Sequence, residues 1–168
     1  MATLVVETGA GLTNSNSYST QDTADTYHEM RLHNTDWTGA SDDDKEAALM
    51  WATRLLDDQM DWDGDKASTT QALRWPRTSV VDPDDDDVSS TAIPSFLSEA
   101  TAEYARLLIA SDREDDSDTF GFKELRAGSL KMVIDKYDRM PALPLSVWTM
   151  VKSYGIRASG QLRTLVRK

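Results

Sequence analysis

The sequence contains no cysteine, which excludes disulfides, thiolate nucleophiles and cysteine-ligated zinc. A chain without a disulfide framework fits a reducing compartment. Its start, Met1-Ala2-Thr3-Leu4-Val5-Val6-Glu7, lacks both a basic residue and a long apolar run and does not read as a signal peptide. No stretch approaches the ~18 consecutive apolar residues that a membrane span requires, so a soluble protein is expected. Histidine is scarce. The two present, His28 and His33, are five residues apart and fall on different faces of a predicted helix, which argues against a histidine metal site. There is no glycine-rich loop followed by Lys-Ser/Thr and no serine in a nucleophile-elbow sequence. Acids are missing from the end of the chain: none follows Asp138.

Elsewhere acids dominate. Residues 1–120 hold 8 Lys/Arg against 26 Asp/Glu, a net of −18, whereas residues 121–168 hold 10 against 3, a net of +7. An acidic body repels a nucleic-acid backbone, which is bound by phosphate neutralisation. A basic end on the same chain points to a complementary partner surface, such as the acidic body of a neighbouring copy. With so many carboxylates, chance pairs say nothing about acid/base catalysis. At 168 residues, 39% hydrophobic and 28% charged, the composition is globular and suits one domain with a real core.

Leu4-Val5-Val6 reads as a short strand or arm before the turn-rich stretch 8–17. Ser19 with Asp22 is a capping-box variant, placing a first helix from about Thr20 to His33 with Ala24, Tyr27 and Met30 inward. Asn34 to Ala40 reads as a loop. Ser41 followed by Asp42-Asp43-Asp44 suits a helix N-terminus, and Ala48, Trp51, Ala52, Leu55 and Leu56 form one apolar stripe over 42–59. Asp61 to Val88 reads as irregular, anchored by Leu73, Trp75 and Val80-Val81. Pro94 suits the first position of a third helix, to about Ser111, followed by an acidic loop at 112–118. Alternation at Leu130, Met132 and Ile134 predicts a β-hairpin near 122–137. A short fourth helix is expected from Leu145 to Tyr154, with Val147, Trp148 and Val151 inward and Gly155 as its stop. The expected architecture is mainly α: a bundle of about four helices with a minor β-hairpin, a body over 1–154 and an extended basic tail over 155–168.

Asp61-x-Asp63-Gly64-Asp65 superficially matches the opening of a calcium loop, but the twelfth position is Ala72 and the glycine falls at position 4 rather than 6. The run Asp84–Asp87 reads as a solvated loop. Gln71-Ala72-Leu73-Arg74-Trp75-Pro76-Arg77 is the most distinctive segment. Gln71, Arg74, Trp75 and Arg77 are read either as a subunit or DNA-backbone contact or, more plainly, as a loop pinned to the core by Trp75. In the tail, Leu162, Leu165 and Val166 share helical spacing, with a strand pattern as the alternative, and Arg157, Arg163, Arg167 and Lys168 carry its charge. Fourteen residues do not bury that surface alone, so the tail is expected to order on a partner. No residue reads as catalytic, metal-binding or cofactor-binding, and no cofactor is expected.

One ordered set of features resembles a known family: Leu4-Val5-Val6-Glu7-x-Gly9-x-Gly11-Leu12, Asn14-x-Asn16-Ser17-Tyr18, Ala24-Asp25-x-Tyr27-His28, Trp37, Lys45-Glu46-Ala47-Ala48-Leu49, Leu55-Leu56-Asp57, Trp62-x-Gly64, Gln71-Ala72-Leu73-x-Trp75-Pro76-Arg77 and Ile93-Pro94. Over about residues 4–138 the chain resembles the phage family described as DnaT-like single-stranded-DNA-binding proteins, which is similar in size and placement to head–tail connector (adaptor, head-completion) proteins of tailed phages. Downstream, the run Asp84–Asp87 stands where the family has an Asp-x-Asp-Gly turn. The resemblance implies a structural virion protein at the head–tail neck, without enzymatic activity. It would form a ring, commonly of twelve subunits, beneath the portal protein and receive the next connector or tail protein. Packaged DNA would pass the channel without specific binding. The other reading is a single-stranded-DNA-binding protein. It would require a basic groove with exposed aromatics, whereas Trp51 and Trp148 are expected on buried helix faces. A metal-dependent hydrolase is a third reading, one that would require stabilisation by added metal.

Overall fold

The computed structural model describes residues 2–114, 124–127, 130–133 and 141–158, the two middle segments by their backbone pairing. The order of elements is α1 (Gln21–Glu29), α2 (Thr35–Thr38), α3 (Asp42–Gln59), β1 (Met60–Trp62), β2 (Asp65–Lys66), β3 (Arg77–Thr78), α4 (Ser95–Ala110), β4 (Glu124–Ala127), β5 (Leu130–Val133), α5 (Leu145–Val151) and β6 (Gly155–Arg157). Among the described residues the fold is mostly helical, with three two-stranded antiparallel pairs: β1–β6, β2–β3 and β4–β5.

Helix α4 is the axis of the molecule. Every residue from Ala100 to Arg106 is buried, because α1, α3 and α5 cover it from different sides. A helix covered all round carries an apolar sequence rather than a single stripe, and small residues at 100, 102 and 105 let its neighbours approach. Pro94 stands at the N-cap, its φ of −64° suiting the entry into the helix. On α3 the expected span and cap hold: Ser41 Oγ accepts the N–H of Asp44 at 3.2 Å. The buried arc, however, comprises Ala48, Leu49, Ala52, Thr53, Leu55 and Leu56. Trp51 lies beyond its edge and is 43% exposed. The expected apolar stripe runs through Trp51; the i, i+4 rows 48–52–56 and 49–53 carry the packing instead.

Several expectations are corrected. Helix α1 ends at Glu29, with Thr20 rather than Ser19 at its cap, and Thr20 Oγ1 accepts from Thr23 N at 3.0 Å. Met30 is 79% exposed, and His28 turns inward instead. The stretch 34–40 contains the single turn α2, which buries Trp37. The irregular region past Asp61 contains β2, β3 and part of β1. Gly64 makes the bend between β1 and β2 at φ +67°, where a Cβ would lie 2.1 Å from the carbonyl oxygen of Thr78. Helix α5 stops at Val151, and Gly155 opens a strand rather than ending a helix. Three of the five tryptophans, all outside the long helices, are buried: Trp37, Trp62 and Trp75.

The hairpin is present as β4–β5 with Glu124 opposite Val133; the rest of the span 122–137 lies outside the described residues, as does most of the acidic stretch 112–118. The first residues of the basic tail pair with the body, Met60 opposite Arg157 and Trp62 opposite Gly155. Among the described residues no helix is long and apolar enough to cross a membrane.

Candidate functional site

The segment 71–77 is fixed from beneath. Gln71 is buried, and its side chain acts as a local scaffold. Its Oε1 accepts from Ser68 N at 2.8 Å, and its Nε2 donates to the carbonyls of Leu73 and Pro76 at 2.9 and 3.1 Å. Trp75 is fully buried against Trp62 and Phe96, with edge-on ring contacts at 5.8 and 5.7 Å, and the Trp75–Pro76 peptide is cis. Below it, the Tyr18 hydroxyl donates to Asp57 Oδ1 at 2.7 Å and accepts the N–H groups of Arg74 and Trp75 at 3.1 and 3.2 Å. Asp57 also accepts from Arg74 N and Trp62 Nε1. Burial pushes the Asp57 carboxyl above the usual carboxylate range despite these donors, and burial likewise holds the Tyr18 phenol well above its ordinary value.

The two arginines of this segment turn to the protein itself. Arg77 donates to the carbonyls of Asp63, Arg74, Trp62 and Gly64. Arg74 donates to the carbonyl of Met60 at 3.3 Å and lies 3.9 Å from Asp61. Of the four residues singled out here, Gln71 and Trp75 are interior and the arginines clamp the loop to β1.

Two open grooves flank Trp51. One, of ≈ 890 Å³, is shared by Met50, Trp51, Arg54, Lys66, Leu73 and Arg74. In it the Arg54 guanidinium stacks 4.2 Å from the Trp51 ring and is also paired with Asp58 and Glu114. The other, of ≈ 880 Å³, lies between α2, α3 and the end of α4. Its walls are Ala40, Ala47, Trp51, Leu108 and Ile109, it carries Asp36, Asp44 and Asp112, and among the described residues no lysine or arginine lines it. Of the predicted docking residues, Arg157 lies on β6 with its guanidinium 4.8 Å over the Trp148 ring. Leu162, Arg163, Leu165, Val166, Arg167 and Lys168 lie outside the described residues.

Sequence reading missed a buried ionic cluster. Glu103, 1% exposed, accepts from Arg31 at 2.7 Å and from Arg106 at 3.0 Å, and Arg106 reaches Asp36 at 3.6 Å. This ties the segment just after α1, α2 and α4 together. A signal existed: Glu103 and Arg106 are an i, i+3 pair flanked by Ala102, Tyr104, Ala105 and Leu107 in the middle of α4. Glu7 was missed as well. Its buried carboxylate accepts the N–H groups of Gly9, Gly11 and Leu12 and the Ser15 hydroxyl, all within 2.9 Å, so the turn-rich stretch 8–17 is wound around one side chain. Among the described residues no three His, Asp or Glu side chains are placed to hold a metal ion.

The profile of the family described as "Putative DnaT-like ssDNA binding protein" matches residues 2–165. The chain belongs to this family. The match runs beyond the body and through most of the tail, so the tail is part of the family's pattern. Comparison with curated proteins and with solved structures gave no match. In this family member, then, the 71–77 loop clasps the body from within.

Proposed function

We propose that the protein is a head–tail adaptor of a tailed phage. It is a structural, non-enzymatic virion component that forms a ring beneath the portal, completes the DNA-filled head and receives the next connector or tail protein. The observation that carries this reading is the separation of charge. A helical body of −18 over residues 1–120 precedes a basic end, and the body's arginines 31, 54, 74, 77 and 106 all engage its own carboxylates or carbonyls. Such a surface does not gather phosphates; lining a channel, it lets packaged DNA slide past without specific contact. Portal, neighbouring copies and the tail side would be its partners, and the virion neck its location.

A second reading, a single-stranded-DNA-binding protein, is favoured by the family's description and by the exposed Trp51 stacked on Arg54 near Lys66 and Arg74. Stacking platforms of this kind bind bases without sequence preference.

Imaging the purified protein with its portal, with and without residues 159–168, tests the first reading: rings on portal particles are expected, and their absence overturns it. Titration of oligonucleotide binding against salt tests the second. Tight binding with a steep negative salt slope, lost on Trp51→Ala, replaces the adaptor reading with the DNA-binding one.

A further inference from the structure

The groove between α2, α3 and the end of α4 is apolar inside and acidic at its rim, and nothing in the described chain covers it. Trp51, one of its walls, is 43% exposed and lies beside Ala40, Ala47 and the Leu108-Ile109 pair in the same trough. Asp44 and Asp112 are exposed on opposite walls, and Asp36 is only partly engaged with Arg106.

One segment of this chain has the complementary chemistry. Residues 159–168 carry Leu162, Leu165 and Val166 with Arg163, Arg167 and Lys168 and no acid. The segment's three apolar residues and three cations are complementary in kind and number to the apolar trough and its three carboxylates. The described chain leaves the body at Ala158, whose N–H donates to the carbonyl of Gln59 at 2.8 Å. The tail therefore departs from the C-terminal end of α3, while the groove lies beside Asp44–Trp51, nearer its start. Ten residues reach up to ~33 Å when extended, enough to cross to another molecule.

We infer that this groove receives the basic segment 159–168 of a neighbouring copy, in a head-to-tail contact. The contact rests on the ring reading only in requiring a neighbour. Identical acidic bodies placed side by side repel within a Debye length, ~10 Å at moderate salt. A heterologous contact that repeats around a ring needs an opposite charge crossing each interface, and the tail supplies it.

The absence of native cysteine makes the test direct. Ala47→Cys places a thiol in the groove, Thr164→Cys places one in the tail, and Thr26→Cys places one on an exposed turn of α1 outside the groove. Full-length groove and tail variants are mixed and oxidised. The expected result is cross-linked dimer in roughly tenfold excess over the tail and α1 pairing. That excess should fall at raised salt, disappear with Arg163→Glu and Arg167→Glu, and return in part when Asp112→Lys is added to the groove chain. Cross-linking no greater than the α1 control overturns the proposal. So does a disulfide within one molecule when both thiols are on the same chain, since the groove would then hold its own tail. Imaging of portal-bound rings is independent of these outcomes, so loss of the cross-link with rings intact removes this contact and leaves the adaptor reading standing.

Discussion

The Tyr18 hydroxyl sits between the Asp57 carboxylate, to which it donates at 2.7 Å, and the N–H groups of Arg74 and Trp75, which it accepts. One phenol thus joins the N-terminal turn, α3 and the 71–77 segment. Tyr18→Phe leaves the ring in place but strands buried donors and an acceptor. It is expected to cost about 1–3 kcal/mol, measured by urea unfolding, with a change in tryptophan emission as Trp75 loosens.

Glu7→Gln is nearly isosteric yet replaces one accepting oxygen by an NH2 group that faces N–H donors. A loss of about 2 kcal/mol is expected in chemical denaturation. Faster proteolysis within residues 8–17 should accompany it. A midpoint unchanged from wild type would show that the turn does not depend on this carboxylate.

Glu103→Ala leaves Arg31 and Arg106 facing a buried vacancy and should cost about 3–5 kcal/mol. Replacing Glu103 and Arg106 together by leucine should cost less than the sum of the single changes, because the double variant removes both the carboxylate and a cation that had depended on it. A double-mutant cycle on melting midpoints reads the difference.

Burial lowers the His28 pKa, and the hydrogen bond with the Ala102 carbonyl and the nearby Glu103 only partly offset it. The unfolded chain then takes up a proton near pH 6.5 before the folded one does. Stability therefore falls as pH drops below about 6.5 and levels off below the folded value. Arg31 and Arg106 face the same ring and oppose its protonation, whereas Glu103 favours it. In His28→Gln the slope of the melting temperature between pH 7 and pH 5.5 should flatten; an undiminished slope would assign the effect elsewhere.

Trp51→Ala should change stability by less than about 1 kcal/mol, whereas Trp37→Ala should cost about 3–5 kcal/mol. The two rings are alike in size, but Trp37 is 1% exposed and donates to Asp25 at 2.7 Å while Trp51 is 43% exposed. Thermal melts of the two variants check the contrast.

The long helices were legible because their signals are local: a cap at Ser41, a 3.6-residue period through Ala48–Leu56, and a proline at 94. What escaped reading was set by distant partners. Trp51 has the right period to be inward, and only the position of α4 decides that Leu49 and Thr53 are covered in its place. The short strands at 60–66 and 77–78 have almost no pattern of their own; they exist because Arg77 and Gly64 close a bend between segments far apart in sequence. Glu7 looks like one acid among twenty-nine, and nothing nearby marks it as interior; for Glu103 the i, i+3 pairing with Arg106 is the one local hint. In the loop 71–77 the reading of Trp75 as a core anchor agrees with its burial, whereas nothing local gives the direction of Gln71, which is interior, or of the arginines, which reach the backbone beneath.

The pairing of β6 with β1 has a mechanical side. Met60 stands opposite Arg157, directly after the last turn of α3, so a pull on the tail along the strands loads the short ladder in shear, all its hydrogen bonds at once. A pull across the strands instead peels them singly, beginning at Ala158 and Gln59. Direction, more than strength of attachment, would govern how much tension the tail could pass through this strand into the body.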